Sequence, residues 1–124
     1  MYLFVKIMFQ ASLLTFLINL NSFAYDSNDL SNLLETKICL RCELSNADLR
    51  NQNLENAVLR GSNLSRSKLN GANLTNSDLN GANLKGADLS KAILLNSDIN
   101  WILKDNTTKM CKTTMPDGTI NNNC

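Results

Sequence analysis

The chain has 124 residues, 44% of them hydrophobic and 19% charged, enough for one small domain. Its 12 basic and 11 acidic side chains leave a formal net charge of +1, and it has no histidine. That balance argues against nucleic-acid binding, which needs a basic surface, and equally against an acidic mimic of DNA; histidine bases and histidine metal ligands are excluded outright.

Residues 1–24 read as a secretory signal peptide. Lys6 supplies the positive n-region, Leu13 to Leu20 an apolar run broken only by Thr15 and Asn19, and Ser22-Phe23-Ala24 small residues at −3 and −1 of a cleavage site. The run is short for an uncleaved anchor of about 20 residues. No cysteine lies near the cleavage site, so a lipoprotein signal is absent. Cleavage removes Lys6 and no acidic residue, which leaves the mature chain neutral.

Residues 25–41 read as an N-terminal segment with a short helix over about 27–38. Ser27 or Asn28 can serve as N-cap and Asp29 sits in the first turn, where a carboxylate is favoured. Leu30, Leu33, Leu34 and Ile38 follow helical spacing. Cys39-Leu40-Arg41-Cys42 comes next.

From Cys42 to Trp101 the chain divides into twelve blocks of five: CELSN, ADLRN, QNLEN, AVLRG, SNLSR, SKLNG, ANLTN, SDLNG, ANLKG, ADLSK, AILLN and SDINW. The third residues are Leu44, Leu49, Leu54, Leu59, Leu64, Leu69, Leu74, Leu79, Leu84, Leu89, Leu94 and Ile99, a candidate core. The first residue is alanine or serine except at Cys42 and Gln52. On an α-helix five residues advance the face by about 140°, so the leucines would spiral around the axis. On a straight strand, with its period of two, alternate leucines would flip outward. All can face one core only if the chain turns once per block; four corners then close a coil of twenty residues, and coils stack about 4.8 Å apart.

Ala47-Asp48-Leu49, Ala72-Asn73-Leu74, Ala82-Asn83-Leu84 and Ala87-Asp88-Leu89 reproduce the consensus A-(D/N)-L-x-x, and over about half its length the chain resembles the pentapeptide-repeat family. The resemblance implies an all-β repeat fold: a right-handed quadrilateral parallel β-helix of about three coils over residues 42–101. The helix of residues 25–41 then becomes an N-terminal cap over the open end, where backbone groups and leucines would otherwise be bare. Cys42 occupies a small corner position and Cys39 the centre of an incomplete block before it. A redox-active C-x-x-C opens a helix beside a strand, whereas this one opens a β-helix, so a structural bridge is expected. A four-cysteine zinc site would also need Cys111 and Cys124, beyond the other end of the stack.

A twenty-residue coil lays out columns. Asn56, Asn76 and Asn96 share a corner, where asparagine tolerates unusual backbone angles and can form a ladder. Asp48, Lys68 and Asp88 alternate in sign on one face, and Arg50, Arg66 and Lys91 lie on or beside it as a solvated basic cluster. Asp78 stacks on Asp98; two carboxylates are too few to argue a calcium site. Gln52, beneath Ala72 and Ala92, either bonds the cap helix or distorts its corner. Ile93 and Leu95 should point outward near Trp101, an apolar cluster that marks a contact surface; the chain's own tail or a second copy in a homodimer would cover it.

Residues 102–124 leave the repeat as a C-terminal cap and hairpin-like tail. Met115-Pro116-Asp117-Gly118-Thr119 reads as its turn, with Pro and Gly at the positions that need them. A three-residue loop there sets Cys111 opposite Asn123, next to Cys124. Of the three pairings open to four cysteines, only Cys39–Cys42 with Cys111–Cys124 joins residues at the same end of the stack. Such bridges and the signal peptide fit an oxidising compartment.

No nucleophile elbow, phosphate loop or catalytic carboxylate pair appears, and no cofactor or metal site is expected. The reading is a non-enzymatic structural or protein-interaction module, periplasmic or secreted (thylakoid lumen in a photosynthetic host), with a protein partner, no nucleic acid, and no membrane after signal cleavage. Two alternatives come from other classes: a cytosolic DNA-mimic regulator of DNA gyrase, as in some family members, or a redox or metal-binding protein using Cys39 and Cys42.

Overall fold

A computed structural model describes residues 25–124; the signal-peptide reading of residues 1–24 lies outside the described residues. Among the described residues, no helix is long and apolar enough to cross a membrane.

A turn in every block resolves the five-residue period. The carbonyl of the central residue accepts from the N–H three positions on, as in Leu44 to Ala47 (3.1 Å), Leu59 to Ser62 (3.1 Å) and Leu79 to Ala82 (2.9 Å). The fifth residue of each block has positive φ: asparagine at 46, 51, 56, 76 and 96, glycine at 61, 71, 81 and 86. A type II turn requires that sign at its second central position, and these two residue types adopt it most readily. Arg66, Lys91 and Trp101 take the same conformation without that ease. Where the second residue is Asp or Asn, it closes the turn from outside. Its side-chain oxygen accepts the N–H two positions on, in Asn63 from Ser65 (3.2 Å), Asp78 from Asn80 (3.0 Å) and Asp98 from Asn100 (2.9 Å). These Asx turns explain the Asp or Asn of the consensus.

Parallel bridges join residues twenty apart, twenty-one at Lys109 and Thr114, in four columns, which makes a four-sided β-helix. Ile38, Val58, Asp78 and Asp98 form one; Glu43, Asn63, Asn83 and Leu103 the next; Asp48, Lys68, Asp88 and Lys109 the third; Asn53, Asn73, Ile93 and Thr114 the fourth. Each face bridges through a single residue, so no extended strand forms along it, yet the ladder runs unbroken from coil to coil. Leu44 N–H donates up to Asn63 C=O (2.8 Å), and Asn63 N–H donates down to Cys42 C=O (2.8 Å). All eleven repeat leucines are buried inside, with Ala47, Ala57, Ala72, Ala82, Ala87 and Ala92 at the corners.

Serine at a corner needs a partner for its hydroxyl. Ser67 Oγ donates to Leu64 C=O (2.7 Å), Ser97 Oγ to Leu94 C=O (2.6 Å), and Ser62 Oγ donates to Cys39 C=O (2.6 Å) while accepting from Cys42 N–H (3.1 Å). Ser77 Oγ is buried with no partner. A buried, unsatisfied hydroxyl costs about 1–3 kcal/mol. Ser77→Ala is therefore expected to raise stability by about 1 kcal/mol in thermal melts, whereas Ser67→Ala, which loses a bond, should give no gain.

Helix α1 (Ser27–Thr36) closes the first coil. Its N-cap is Asp26, not Ser27 or Asn28: Asp26 N–H is anchored on Glu43 C=O (2.9 Å), and its carboxylate accepts from Asn28 N–H (2.8 Å). The helix stops at Thr36 because Lys37 turns left-handed (φ 63°) and Ile38 joins the ladder beside Val58. Leu33 is fully buried and Leu30 packs on the core, but Leu34 and Ile38 are exposed. The cap also satisfies the open edge. Asp29 Oδ2 takes Glu43 N–H (2.7 Å), and Lys37 Nζ donates to Asn53 C=O. Gln52 is exposed instead of filling the core; no earlier block lies beneath this corner, and its side chain turns to solvent.

The ladder is longer than its sequence signature at both ends. Cys39 N–H bonds Val58 C=O (2.7 Å), which makes residues 37–41 a working block with Cys39 at its buried centre. Beyond Trp101 the tail does not leave the repeat: Leu103, Lys109 and Thr114 bridge to Asn83, Asp88 and Ile93 and build most of a fourth level. This was hidden because Lys104, Met110 and Met115 replace leucine and one extra residue enters the turn around Asp105–Thr108. The chain then forms the expected hairpin, with β1 (Thr113–Thr114) antiparallel to β2 (Ile120–Asn121).

Candidate interaction surface

The faces are built from side chains tied to one another. Asn63 Nδ2 donates to both carboxylate oxygens of Glu43 (2.9 Å each), and Asn83 Nδ2 donates to Asn63 Oδ1 (3.3 Å). This polar ladder climbs the second column. No side-chain hydrogen bond links Asn56, Asn76 and Asn96; asparagine serves that corner through its tolerance of positive φ. The twenty-residue spacing of Glu43, Asn63 and Asn83 is legible in the sequence.

In the third column Asp48, Lys68 and Asp88 stack as expected, but the close ion pair is within one block. Arg50 Nη2 lies 2.6 Å from Asp48 Oδ2 and Arg50 Nε 2.8 Å from Oδ1, a two-pronged contact. The Arg50 guanidinium, helped by its N–H and by the charges of Arg50 and Lys68 against some desolvation, holds the Asp48 carboxyl down to about 2 from an ordinary 3.8. A carboxyl depressed in the fold contributes above its unfolded pKa and loses that contribution as pH falls toward 2. Arg50→Ala is expected to move the Asp48 titration, followed by carboxyl NMR, up toward the ordinary value. Both side chains are exposed, so stability at neutral pH should hardly change.

Arg66, packed against Gly86, and Lys91 stand at the two corners that flank this face. Arg66 and Lys85 flank an open surface hollow with Asp105 and Thr107. Asp78 and Asp98 stack, and Arg60 answers them: its Nη2 is 2.9 Å from Asp78 Oδ2. The Asn100 N–H, then the Asn80 amide and the Arg60 charge, hold the Asp98 carboxyl below the usual range against some desolvation.

The four cysteines pair as Cys39–Cys42 and Cys111–Cys124. Asp29 offers a carboxylate within 4.8 Å of the first pair, but the two sulfurs are bonded to each other and the carboxylate is engaged by Glu43 N–H. Exposed apolar residues lie at both ends of the stack, with Tyr25, Leu34, Ile38 and Leu40 at the N-terminal end and a second group at the C-terminal end. Ile93 and Leu95 are exposed on the outside, with Gly118 of the hairpin turn beside Leu95, and Trp101 is 84% exposed. Leu103 and Ile120 join them, neither of which the sequence singled out.

The family model described as pentapeptide repeats (8 copies) matches residues 42–81 and 67–101. By these residues the chain belongs to the pentapeptide-repeat family. Among solved structures it is similar to the pentapeptide repeat protein Rfr23 from the cyanobacterium Cyanothece 51142, with 35% identity over 58% of this chain and a TM-score of 0.50. It is also similar to HetL from the cyanobacterium Nostoc sp. strain PCC 7120, a pentapeptide repeat protein involved in heterocyst differentiation regulation, with 33% identity over 68% of this chain and a TM-score of 0.41. The chain spans 46% of the first of these proteins and 40% of the second. No curated protein matches it.

Proposed function

We propose that the chain is a non-enzymatic protein-interaction module that works outside the reducing cytoplasm, in a periplasmic, luminal or extracellular space. One observation carries the non-enzymatic half: many polar side chains of the repeat are committed to the fold itself. Asp and Asn close their own turns, Ser62, Ser67 and Ser97 bond carbonyls, and Arg50 and Arg60 are held by Asp48 and Asp78. Side chains fixed in this way make a rigid surface for a partner, not a reaction centre. Fold alone supplies no activity.

The compartment is supported by the two disulfides, one at each end of the stack, and by the signal-like residues 1–24. Disulfides persist where thiols are not kept reduced. The test is the intact mass of the protein taken from its own host, before and after reduction. A mass matching Tyr25 to Cys124 with four hydrogens missing is the expected result. A full-length, fully reduced species would overturn the reading and make Cys39 and Cys42 candidates for thiol or metal chemistry. Inhibition of gyrase supercoiling by the purified chain would replace it with the DNA-mimic reading.

A further inference from the structure

We propose that the face of the third column, from Lys68 up to Lys109, docks an acidic segment of a partner protein; the proposal rests on the protein-interaction reading above. The chain is neutral only as a whole. Residues 25–56 carry six acidic and three basic side chains, residues 57–124 five acidic and eight basic. Coiling then gathers most of the later cations on one face. Lys68 and Lys109 stand in its column with Asp88 between them. Arg66 marks one flanking corner, and its N–H donates to Lys85 C=O (2.9 Å), which places Lys85 one coil above. Lys91 marks the other corner, and its N–H donates to Cys111 C=O (2.9 Å), with Lys112 next in the chain and left-handed like Lys91.

All six cations are exposed. The close ion pairs among the described residues take Arg50 and Arg60 and none of these six. The carboxylates beside them are Asp88 and Asp105, and both are engaged: Asp88 Oδ1 accepts from Ser90 N–H (3.0 Å), Asp105 Oδ1 from Thr107 N–H (2.9 Å) and its hydroxyl (2.6 Å). Three residues between corners, and two coil spacings from Lys68 to Lys109, give a patch roughly 10 Å on a side. Six cations against two carboxylates in that area make a local positive field that the net charge conceals.

The chemistry of the face selects its occupant. An anionic membrane is held by basic residues together with apolar side chains that enter it. No exposed large apolar residue lies on this face; Ile93 and Leu95 belong to the fourth column's face, Leu103 to the second. Single-stranded nucleic acid needs aromatic side chains between the cations for its bases to stack on, and none is here. A flat, short, wholly polar patch fits an extended acidic segment, which turns alternate side chains, about 7 Å apart, toward the face. Lysines on both corners are long enough to reach them.

The experiment uses the purified, disulfide-bonded chain and a fluorescent peptide of about six glutamates, spanning roughly 20 Å when extended. Saturable binding is expected in fluorescence anisotropy. It should weaken at least tenfold between about 0.1 M and 1 M salt, as the screening length falls from roughly 10 Å to 3 Å. Lys68→Gln with Lys109→Gln should weaken it about tenfold at an unchanged melting temperature, since both side chains are exposed. Arg41→Gln, an exposed cation at a corner of the first coil away from this face, should change it less than about twofold. Asp88→Asn keeps an oxygen for the Ser90 N–H and removes a like charge, so it should tighten binding. Amide NMR shifts should centre on Lys68, Asp88 and Lys109. No saturable binding, or an Arg41→Gln loss equal to that of the lysine pair, would overturn this inference alone, because other faces remain for a protein partner. Tighter binding to phosphatidylglycerol vesicles or to single-stranded DNA than to the peptide would overturn it and the protein-partner reading together.

Discussion

Replacing Leu74 by alanine is expected to lower the unfolding free energy by about 2–5 kcal/mol. Leu74 is fully buried in the middle of the stack, between Leu54 one coil below and Leu94 one coil above. Its N–H donates to Ile93 C=O (2.7 Å), and its carbonyl accepts from Ser77 N–H (3.1 Å). Those bonds fix both the distance between coils and the turn beside it, so neighbouring side chains cannot fall into the space a shortened residue leaves. Truncations of this kind cost most where the site cannot collapse. The position adds a second effect. In a stack each coil touches only its neighbours, and a weakened middle level uncouples the two halves. Urea unfolding should show a lower midpoint with little change in slope. Leu34→Ala, on the exposed side of α1, is the control and should cost well under 1 kcal/mol, in line with surface substitutions of about ±0.5 kcal/mol. A cost below about 1 kcal/mol at Leu74 would contradict its place in the core.

The second large effect is expected at the other end of the chain. Changing Cys111 and Cys124 together to serine removes a bridge with a sequence separation of 13. Closing a loop of this length restricts the unfolded segment by about 3 kcal/mol in the chain-entropy account. β1 is tied into the ladder through Thr114 and Ile93, but little besides the bridge holds the outer strand: β2 is two residues long, and Ile120 is half exposed. The loss should therefore appear first as local opening. Lys112 N–H to Asn121 C=O and Met115 N–H to Thr119 C=O, both 2.7 Å, are the reporters. Their exchange should quicken by about a hundredfold, since 1.4 kcal/mol is a factor of ten. Amides of the middle coil, such as Leu59 and Asn63, should hardly respond. An equal acceleration there would show that hairpin and stack open as one unit.

The coil was legible because three of five positions in each block are dictated by separate physical needs. A small residue fits the corner, leucine fills the centre, and Asp or Asn closes the turn. The sequence therefore gave away the twenty-residue register and the placement of Cys39 at the centre of a block. It hid what those rules do not govern. Residues 102–116 stay in the ladder although Lys104, Met110 and Met115 break the leucine pattern, because backbone pairing needs no particular side chain. The N-cap moved to Asp26 because a tertiary bond to Glu43, invisible in local sequence, fixes where the chain enters the helix. Arg50 chose Asp48, two residues away, over any partner in a column, since an intrablock pair needs no precise stacking. The C-terminal apolar group was only partly read. Ile93, Leu95 and Trp101 stood out as breaks in a polar pattern, while Leu103 and Ile120 look ordinary until the chain is coiled.

The twenty-residue register carries a consequence for how such a chain can change length. Inserting or deleting a whole coil leaves every column in place, so the Glu43–Asn63 contact, the Arg60–Asp78 contact and both caps keep their geometry. Removing a single block of five keeps every leucine inward and every turn intact, yet it rotates everything downstream by a quarter turn. Trp101 and the hairpin would then sit over a different face from the one that α1 starts on. Growth by twenties conserves the molecule's outline, and growth by fives re-aims one end against the other.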